Sequence, residues 1–346
     1  MSSDDLSRIE QKLAGIEGVT LRRDVLLSEN TTWRIGGPVA LWIDLEAARP
    51  HYPNVCRVIE TLVESGLPFT VIGGGSNILG SDAGYPGAVI HLTGDSPLCE
   101  FLDGKVRVSA DLVLSSLVKR SADEGYRDLE FLTGIPGTVG GALAMNAGTG
   151  DTWIGSVVES ITAIVFEQGG ASGDQTSAQL SGHASEQFTA QDSGQTGISD
   201  SRPALVSLRG DEVVWDYRSG SLRDRAIILE ATLVLKHPEA PAVVIERIRE
   251  RLALRKAGQP LEYPSAGSVF RNPDGDNAWR LIDAVGLKGK TEGGAQISEM
   301  HTNFIINRGD ATAADVEALI EEAQRRVFEQ YGIRLQKEVR LLGTET

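Results

Sequence analysis

Two glycine-rich stretches and three separate polar side chains are the residues of this sequence with the means to do chemistry. Residues 131–148 place Gly134, Gly137, Gly140 and Gly141 within one run that also holds Pro136, Thr138 and Asn146, and Gly148 closes it. Glycine admits positive φ and lets a ligand reach the bare main chain, and Pro136 stiffens the entry. Successive inward N–H groups in such a run form an anion nest, which suits a phosphate-rich ligand. Residues 69–79 repeat the character: a short apolar strand runs into Gly73, Gly74 and Gly75, followed by Ser76 and Asn77. Two such turns about sixty residues apart can hold both ends of one pyrophosphate; the plain alternative is a pair of tight turns.

The polar positions are Ser268, Arg218 and Glu338. Ser268 sits in a tight glycine-containing turn that presents its hydroxyl. Arg218 follows Asp216-Tyr217 just before a strand, where a surface ion pair is the alternative. Glu338 is expected within the terminal strand, either exposed at an edge or committed to a buried site. Other signatures fail. Neither glycine run contains G-x-G-x-x-G, so the doubly wound dinucleotide fold is not indicated. Gly289-Lys290-Thr291 ends like a P-loop, but Ala284 stands where its first glycine belongs. His51, His91, His183, His237 and His301 lack metal-ligand spacing, and no metal site is expected. His301, beside Asn303, is either a substrate contact or a satisfied structural histidine.

The elements that must position these residues follow from periodicity. Residues 54–65 put Val55, Val58, Ile59, Leu62 and Val63 at helical spacing, stopped by Gly66. Further helices are expected over 4–16, 114–121, 240–257 and 278–285, the one over 240–257 with Val244, Ile245, Ile248 and Leu252 on one face and a basic, solvated opposite side. Thr312 to Asp315 reads as a capping box for a last helix ended by Gly332. Strands are expected at 39–43, 69–72, 88–92, 98–102, 106–109, 157–166, 226–235, 303–306 and 335–342. Gly, Ser and Gln make up 19 of the 37 residues from 167 to 203. That composition buries too little to offset its ordering entropy, and a disordered hairpin insertion is expected.

The chain has 346 residues, ordinary hydrophobic content of 41% and a net charge of −15. This length predicts two or three domains, and the charge argues against nucleic acid and anionic membrane as partners. Cys56 and Cys99 are the only cysteines and read as reduced thiols. No apolar run is long enough to span a bilayer, and the acidic start is no secretory signal. A cytoplasmic protein is expected.

Taken together, Gly73-Gly74-Gly75-Ser76-Asn77, Gly134-Ile135-Pro136-Gly137-Thr138-Val139-Gly140-Gly141, Tyr217-Arg218-Ser219, Pro264-Ser265-Ala266-Gly267-Ser268-Val269-Phe270, His301-Thr302-Asn303-Phe304 and Glu338-Val339-Arg340 resemble the UDP-N-acetylenolpyruvoylglucosamine reductase (MurB) family. The resemblance runs from Asn30-Thr31 to Gly343 apart from the insertion. It is to the shorter type, without the tyrosine-bearing loop that covers substrate. Gly148-Thr149-Gly150 departs from the family, which often has an aromatic before the final glycine. The resemblance implies an α+β chain: a two-lobed FAD-binding domain of the vanillyl-alcohol-oxidase (PCMH) type plus an α/β substrate-binding domain. The lobes would be 1–84 with the terminal strand 333–346, and 85–238; the substrate domain would be 239–332. Gly73, Gly74, Gly75, Ser76, Asn77, Gly137, Thr138, Gly140, Gly141 and Asn146 would bind FAD.

The implied reaction is NADPH-dependent reduction of UDP-N-acetylglucosamine enolpyruvate to UDP-N-acetylmuramate, a peptidoglycan precursor. Hydride would pass from NADPH to flavin N5 and on to C3 of the enolpyruvyl group. Ser268 would protonate C2, while Arg218 and Glu338 stabilise the enolate-like charge. An arginine grips a carboxylate bidentately, and Glu338 would have to be protonated or paired with a cation. Tyr217, Arg255, Gln259, Asn272 and His301 would contact substrate. A monomer is expected. A flavin oxidase using dioxygen and a non-catalytic flavin or nucleotide-sugar binder are the rival readings; the presence of all three polar residues argues against the second.

Overall fold

The computed structural model describes residues 3–94, 97–166 and 202–343. The expected insertion at 167–203 lies outside the described residues except for Arg202 and Pro203. Two compact units form: residues 1–21, 43–73 and 89–247 in the first, and 22–42, 74–88 and 248–346 in the second.

In the first unit the helix Tyr52–Ser65 buries Val55, Val58, Ile59 and Leu62 along one face. Those positions recur at i, i+3, i+4 and i+7, which stack on one side of a 3.6-residue turn. Gly66 ends the helix in the left-handed conformation at φ 67°, the usual role of glycine one residue beyond a helix. A five-stranded sheet runs in the order Ala204–Arg209, Val158–Val165, Ala226–Val234, Lys105–Ser109, Cys99–Leu102, every pair antiparallel. Its middle strand, Ala226–Val234, is buried almost throughout, as its apolar run demands. Its one charged residue, Glu230, is buried with the rest at 4% exposed. Its carboxylate takes two hydrogen bonds from Arg49, at 2.9 and 2.7 Å, and one from the Tyr52 hydroxyl at 3.4 Å. One bidentate ion pair thus ties the head of the helix Tyr52–Ser65 to the sheet, and burial beside that carboxylate pushes the Tyr52 hydroxyl far above its ordinary pKa.

The second unit has its own core, in which Trp33, Leu79, Val269, Phe270, Leu281, Leu319 and Val339 all pack together. The helix Ala313–Tyr331 opens on the expected capping box of Thr312 and Asp315. Asp82 adds a second cap, its carboxylate accepting the N–H groups of Ala313 at 2.8 Å and Ala314 at 3.1 Å. Backbone N–H bonds, first among them that of Thr312, hold the Asp315 carboxyl below its ordinary pKa. Gly332 closes the helix at φ 69°.

Four expectations need correction. The first helix stops at Leu13. The helix Pro241–Gly258 buries only Val244 of its expected apolar face. Its Arg247 is not a solvated charge, because Nε donates to Glu130 at 2.8 Å and Nη2 pairs with Glu239. The terminal strand spans only Arg340–Leu342, so Glu338 precedes it. Ala204–Arg209 forms a strand that no expected element covers, and it pairs with Val158–Val165 from Val165↔Ala204 to Ser160↔Arg209. A strand so paired needs no apolar alternation of its own, since it sits at the edge of the sheet.

Replacing Glu230 with alanine strands Arg49 and Tyr52 without their acceptor. Only the carboxylate side of this pair is buried, so the loss is that of hydrogen bonds to a charged group, roughly 1.5–3 kcal/mol. The Glu230→Ala variant is expected to unfold at a clearly lower denaturant concentration; an unchanged midpoint would show the pair to be dispensable.

Candidate active site

In the first unit the two glycine runs meet. A Cβ built on Gly73 would lie 2.4 Å from Oγ1 of Thr138, so only glycine fits there. Thr138 in turn caps the short helix Val139–Ala144, accepting the N–H of Gly141 at 3.3 Å. The run is pinned to residues 110–114: Leu114 donates to Gly137 at 2.9 Å, Val139 to Leu112 at 2.9 Å and Gly140 to Ala110 at 2.8 Å. Gly140 and Gly141 therefore spend their N–H groups inside the protein. Gly140 is a packing glycine, whose Cβ would meet Ala110 Cβ at 2.8 Å. Gly141 is the opposite case, exposed and with nothing nearer than Thr138 Oγ1 at 3.5 Å. Gly134 and Gly137 stand at φ 74° and 111°. Just before them Thr133 is 4% exposed, and its hydroxyl has no partner among the described residues.

Arg218 and Asn146 belong to the same corner. Arg218 lies just before the short strand Ser219–Gly220, in the hairpin turn that follows Trp215–Asp216, and holds φ 55°. A left-handed non-glycine residue costs about 1 kcal/mol. Nη1 of Arg218 donates to the Gly148 carbonyl at 2.7 Å, which ties the hairpin to the end of the glycine run, and its guanidinium lies 5.5 Å from the Tyr217 ring centre. Asn146, 2% exposed, donates to the Asp216 carbonyl at 2.9 Å and accepts the Gly155 N–H at 3.0 Å. Its side chain clamps the hairpin that carries Tyr217 and Arg218.

In the second unit three separate stretches are laced together by main-chain bonds. Glu338 donates its N–H to the Val269 carbonyl at 2.8 Å, one residue from Ser268. Asn77 Nδ2 donates to the Glu338 carbonyl at 3.1 Å, and Arg340 donates to the Asn77 carbonyl at 2.9 Å. Parallel pairing of Ile78–Gly80 with Arg340–Leu342 continues the seam. Ser76 leads into it, and Gly75, at φ 59°, passes so close to Asn30 that a Cβ would lie 2.1 Å from its carbonyl oxygen. The Ser268 turn itself is held by Asn303, 3% exposed: Oδ1 accepts the Phe270 N–H at 2.9 Å and Nδ2 donates to the Phe270 carbonyl at 2.8 Å. Ser268 and Glu338 are both half-buried.

The expected substrate contacts divide. Gln259 Oε1 is buried with no partner among the described residues. Asn272 is exposed, and its Oδ1 caps the helix Ala278–Ala284 through the Ala278 N–H at 3.1 Å. Arg255 is half-buried near the end of the helix Pro241–Gly258. His301 packs edge-on against Phe304 with ring centres 4.8 Å apart, and its Nδ1 lacks a partner among the described residues. The sequence reading did not single out Thr133 or assign Asn303 its clamp. Thr133 directly precedes Gly134, but only burial distinguishes it from any loop threonine.

Burial pushes the His301 ring below its ordinary pKa. A base whose folded pKa is depressed stays neutral in the fold at pH 7. The unfolded chain binds the proton first as pH falls, so the fold loses stability below about pH 6.5. The expected outcome is that His301→Gln flattens the decline in unfolding free energy between neutral and mildly acidic pH. Parallel declines in both proteins would assign that slope to other groups.

Residues 51–167 match the family model of the FAD binding domain. Residues 259–342 match that of the UDP-N-acetylenolpyruvoylglucosamine reductase C-terminal domain. Curated proteins named UDP-N-acetylenolpyruvoylglucosamine reductase align nearly end to end. The one from a Synechococcus strain is 38% identical over 330 residues, 94% of each chain. That from Geotalea uraniireducens is 34% identical over 345 residues and the full length of both. The crystal structure of the Thermus caldophilus UDP-N-acetylenolpyruvylglucosamine reductase superposes with a TM-score of 0.70 at 33% identity, covering 94% of this chain and 99% of that one. These matches bear out the expected fold class, an α+β chain joining an FAD-binding domain to a substrate domain. The chain belongs to the UDP-N-acetylenolpyruvoylglucosamine reductase family.

Proposed function

We propose that this chain is an FAD-dependent reductase that converts UDP-N-acetylglucosamine enolpyruvate to UDP-N-acetylmuramate with NADPH as hydride donor. One observation carries the reading: Asn77, at the end of the first glycine run, is bonded to Glu338, whose N–H is bonded to the residue after Ser268. Main chain suited to a cofactor and side chains suited to proton transfer share one seam. The residues present fit FAD. Gly73 and Thr138 bring the two glycine runs into contact, Gly141 leaves main chain open, and Thr133 holds a buried hydroxyl without a protein partner. When bound, FAD supplies the hydride acceptor and donor of the reaction.

The rest of the work belongs to side chains. Ser268 donates a proton to C2 of the enolpyruvyl group as charge develops there. A serine is a poor acid, so only a strongly basic carbon draws its proton. Arg218 is always charged and grips the substrate carboxylate. Glu338 acts protonated or beside a cation, because a bare carboxylate against another is repelled. Preorganised groups of this kind supply a few kcal/mol each to the transition state. Tyr217, Arg255, Gln259, Asn272 and His301 hold the sugar nucleotide, Gln259 through its spare acceptor. The domain boundary at 238–239 and a cytoplasmic monomer complete the proposal; no described helix is long and apolar enough to cross a membrane.

Two variants test it. Ser268→Ala is expected to keep NADPH-driven bleaching of the yellow protein near normal and to slow the return of colour on adding substrate about 10²–10⁴-fold. Survival of both half-reactions would remove Ser268 from the chemistry. Gly141→Ala meets no obstacle within the protein and gains about 0.5–1 kcal/mol of helix propensity. It is expected to fold yet to retain FAD at least ten-fold more weakly; full retention would show that the cofactor does not approach this main chain.

A further inference from the structure

Outside the residues of the proposed site, the second unit carries a cleft of about 650 Å³ between the end of the helix Ala313–Tyr331 and residues 334–337. Its wall is cationic in a chain of net charge −15. Arg325 is neutralised by Glu322 and Glu329 on its own helix. Arg334 and Lys337 have no carboxylate partner among the described residues. The Arg334 guanidinium stacks 4.5 Å from the centre of the Phe328 ring, which is 43% exposed. A stacked guanidinium is pre-positioned, so little entropy is lost when it binds an anion. The exposed Phe328 ring adds an apolar wall, while Leu335 behind it is buried in the core.

We propose that this cleft binds a small phosphate ester, its dianion held by Arg334 and Lys337 and its flat apolar part lying along Phe328. The volume is in the range of small-molecule sites, and two uncompensated cations match a phosphate dianion. The same segment that lines the cleft also frames the candidate active site. The Gln336 carbonyl accepts the Arg271 N–H at 2.9 Å, Lys337 bridges Phe270, and the next residue, Glu338, donates to Val269. An occupant that fixes residues 336–337 therefore biases the position of Glu338 and of the Ser268 turn. Coupling between sites of this kind is commonly about 5-fold or more. Binding does not depend on the reductase reading; the coupling does.

The test is calorimetry on the FAD-loaded protein with adenosine 5′-monophosphate, inorganic phosphate and a hexaglutamate peptide as probes. The nucleotide is expected to bind, more tightly than phosphate. Arg334→Ala and Lys337→Ala are each expected to weaken it at least ten-fold, Arg334→Lys to recover part of the loss, and Arg255→Ala to leave it unchanged. In turnover the nucleotide is expected to alter kcat with little change in the KM for substrate, an effect absent from Arg334→Ala, whose rate without nucleotide is normal. An isotherm insensitive to Arg334→Ala and Lys337→Ala, or one abolished by Arg255→Ala, overturns the site. Phosphate binding as tightly as the nucleotide overturns the apolar half, and tighter binding of hexaglutamate overturns the small-ligand assignment. Nucleotide binding with unchanged kcat overturns the coupling alone.

Discussion

The seam between Asn77, Glu338 and Val269 is the constraint on which the second unit depends. It joins stretches 69 and 261 residues apart in sequence through three main-chain carbonyls, which accept two main-chain N–H groups and the Asn77 side-chain amide. Each bond alone contributes about 1 kcal/mol. Their weight comes from what they align. Val269, Phe270, Leu79 and Val339 sit beneath them in one apolar core, so a slip in the seam would expose core side chains as well as break hydrogen bonds. The hydroxyl at 268 and the carboxyl at 338 are thereby carried on main chain fixed by burial next door.

Glycine serves two distinct purposes in the two glycine runs. At positions 73, 75 and 140 a side chain would collide with protein atoms. Those glycines let two pieces of main chain touch. At 141 nothing stands in the way, and packing gives no reason to leave the position bare. Composition alone treats all of these alike, which explains why a glycine-rich run is a weak signal of ligand binding. The signal becomes specific only when packing accounts for some glycines and leaves others over.

Much of the fold was legible from the sequence because periodicity reports burial. The helices Tyr52–Ser65 and Ala313–Tyr331 carry their apolar stripe, cap and closing glycine in the residues themselves. What escaped depends on partners distant in the chain. Ala204–Arg209 is a strand because Val158–Val165 offers it an edge. Glu338 leaves the terminal strand because its N–H is claimed by Val269. The helix Pro241–Gly258 looked amphipathic, yet Leu252 is 45% exposed, since apolar spacing says which residues share a face and not whether anything covers it. In the candidate site the residue types were readable, whereas the division of labour was not: Asn146 reads as a cofactor ligand by position and is a hairpin clamp by geometry.

Asn146 is one instance of a wider device. Irregular loops leave peptide groups without a ladder, and buried peptide groups must still be paired. A carboxamide has the donor and acceptor of a peptide on a short, uncharged arm, so it can complete a strand pair that no strand supplies. Asn303 does this for Phe270, taking its N–H and giving to its carbonyl. Asn307 does it for Trp33 and for the N–H groups of Gly309 and Ala311, and Asn146 for Asp216 and Gly155. Aspartate would lack the donor, and glutamine would add a rotor to be frozen. The loops that carry Ser268 and Arg218 are therefore held by asparagines at their backs. The cost of each replacement would fall first on the angle of the presented side chain and only then on the stability of the fold.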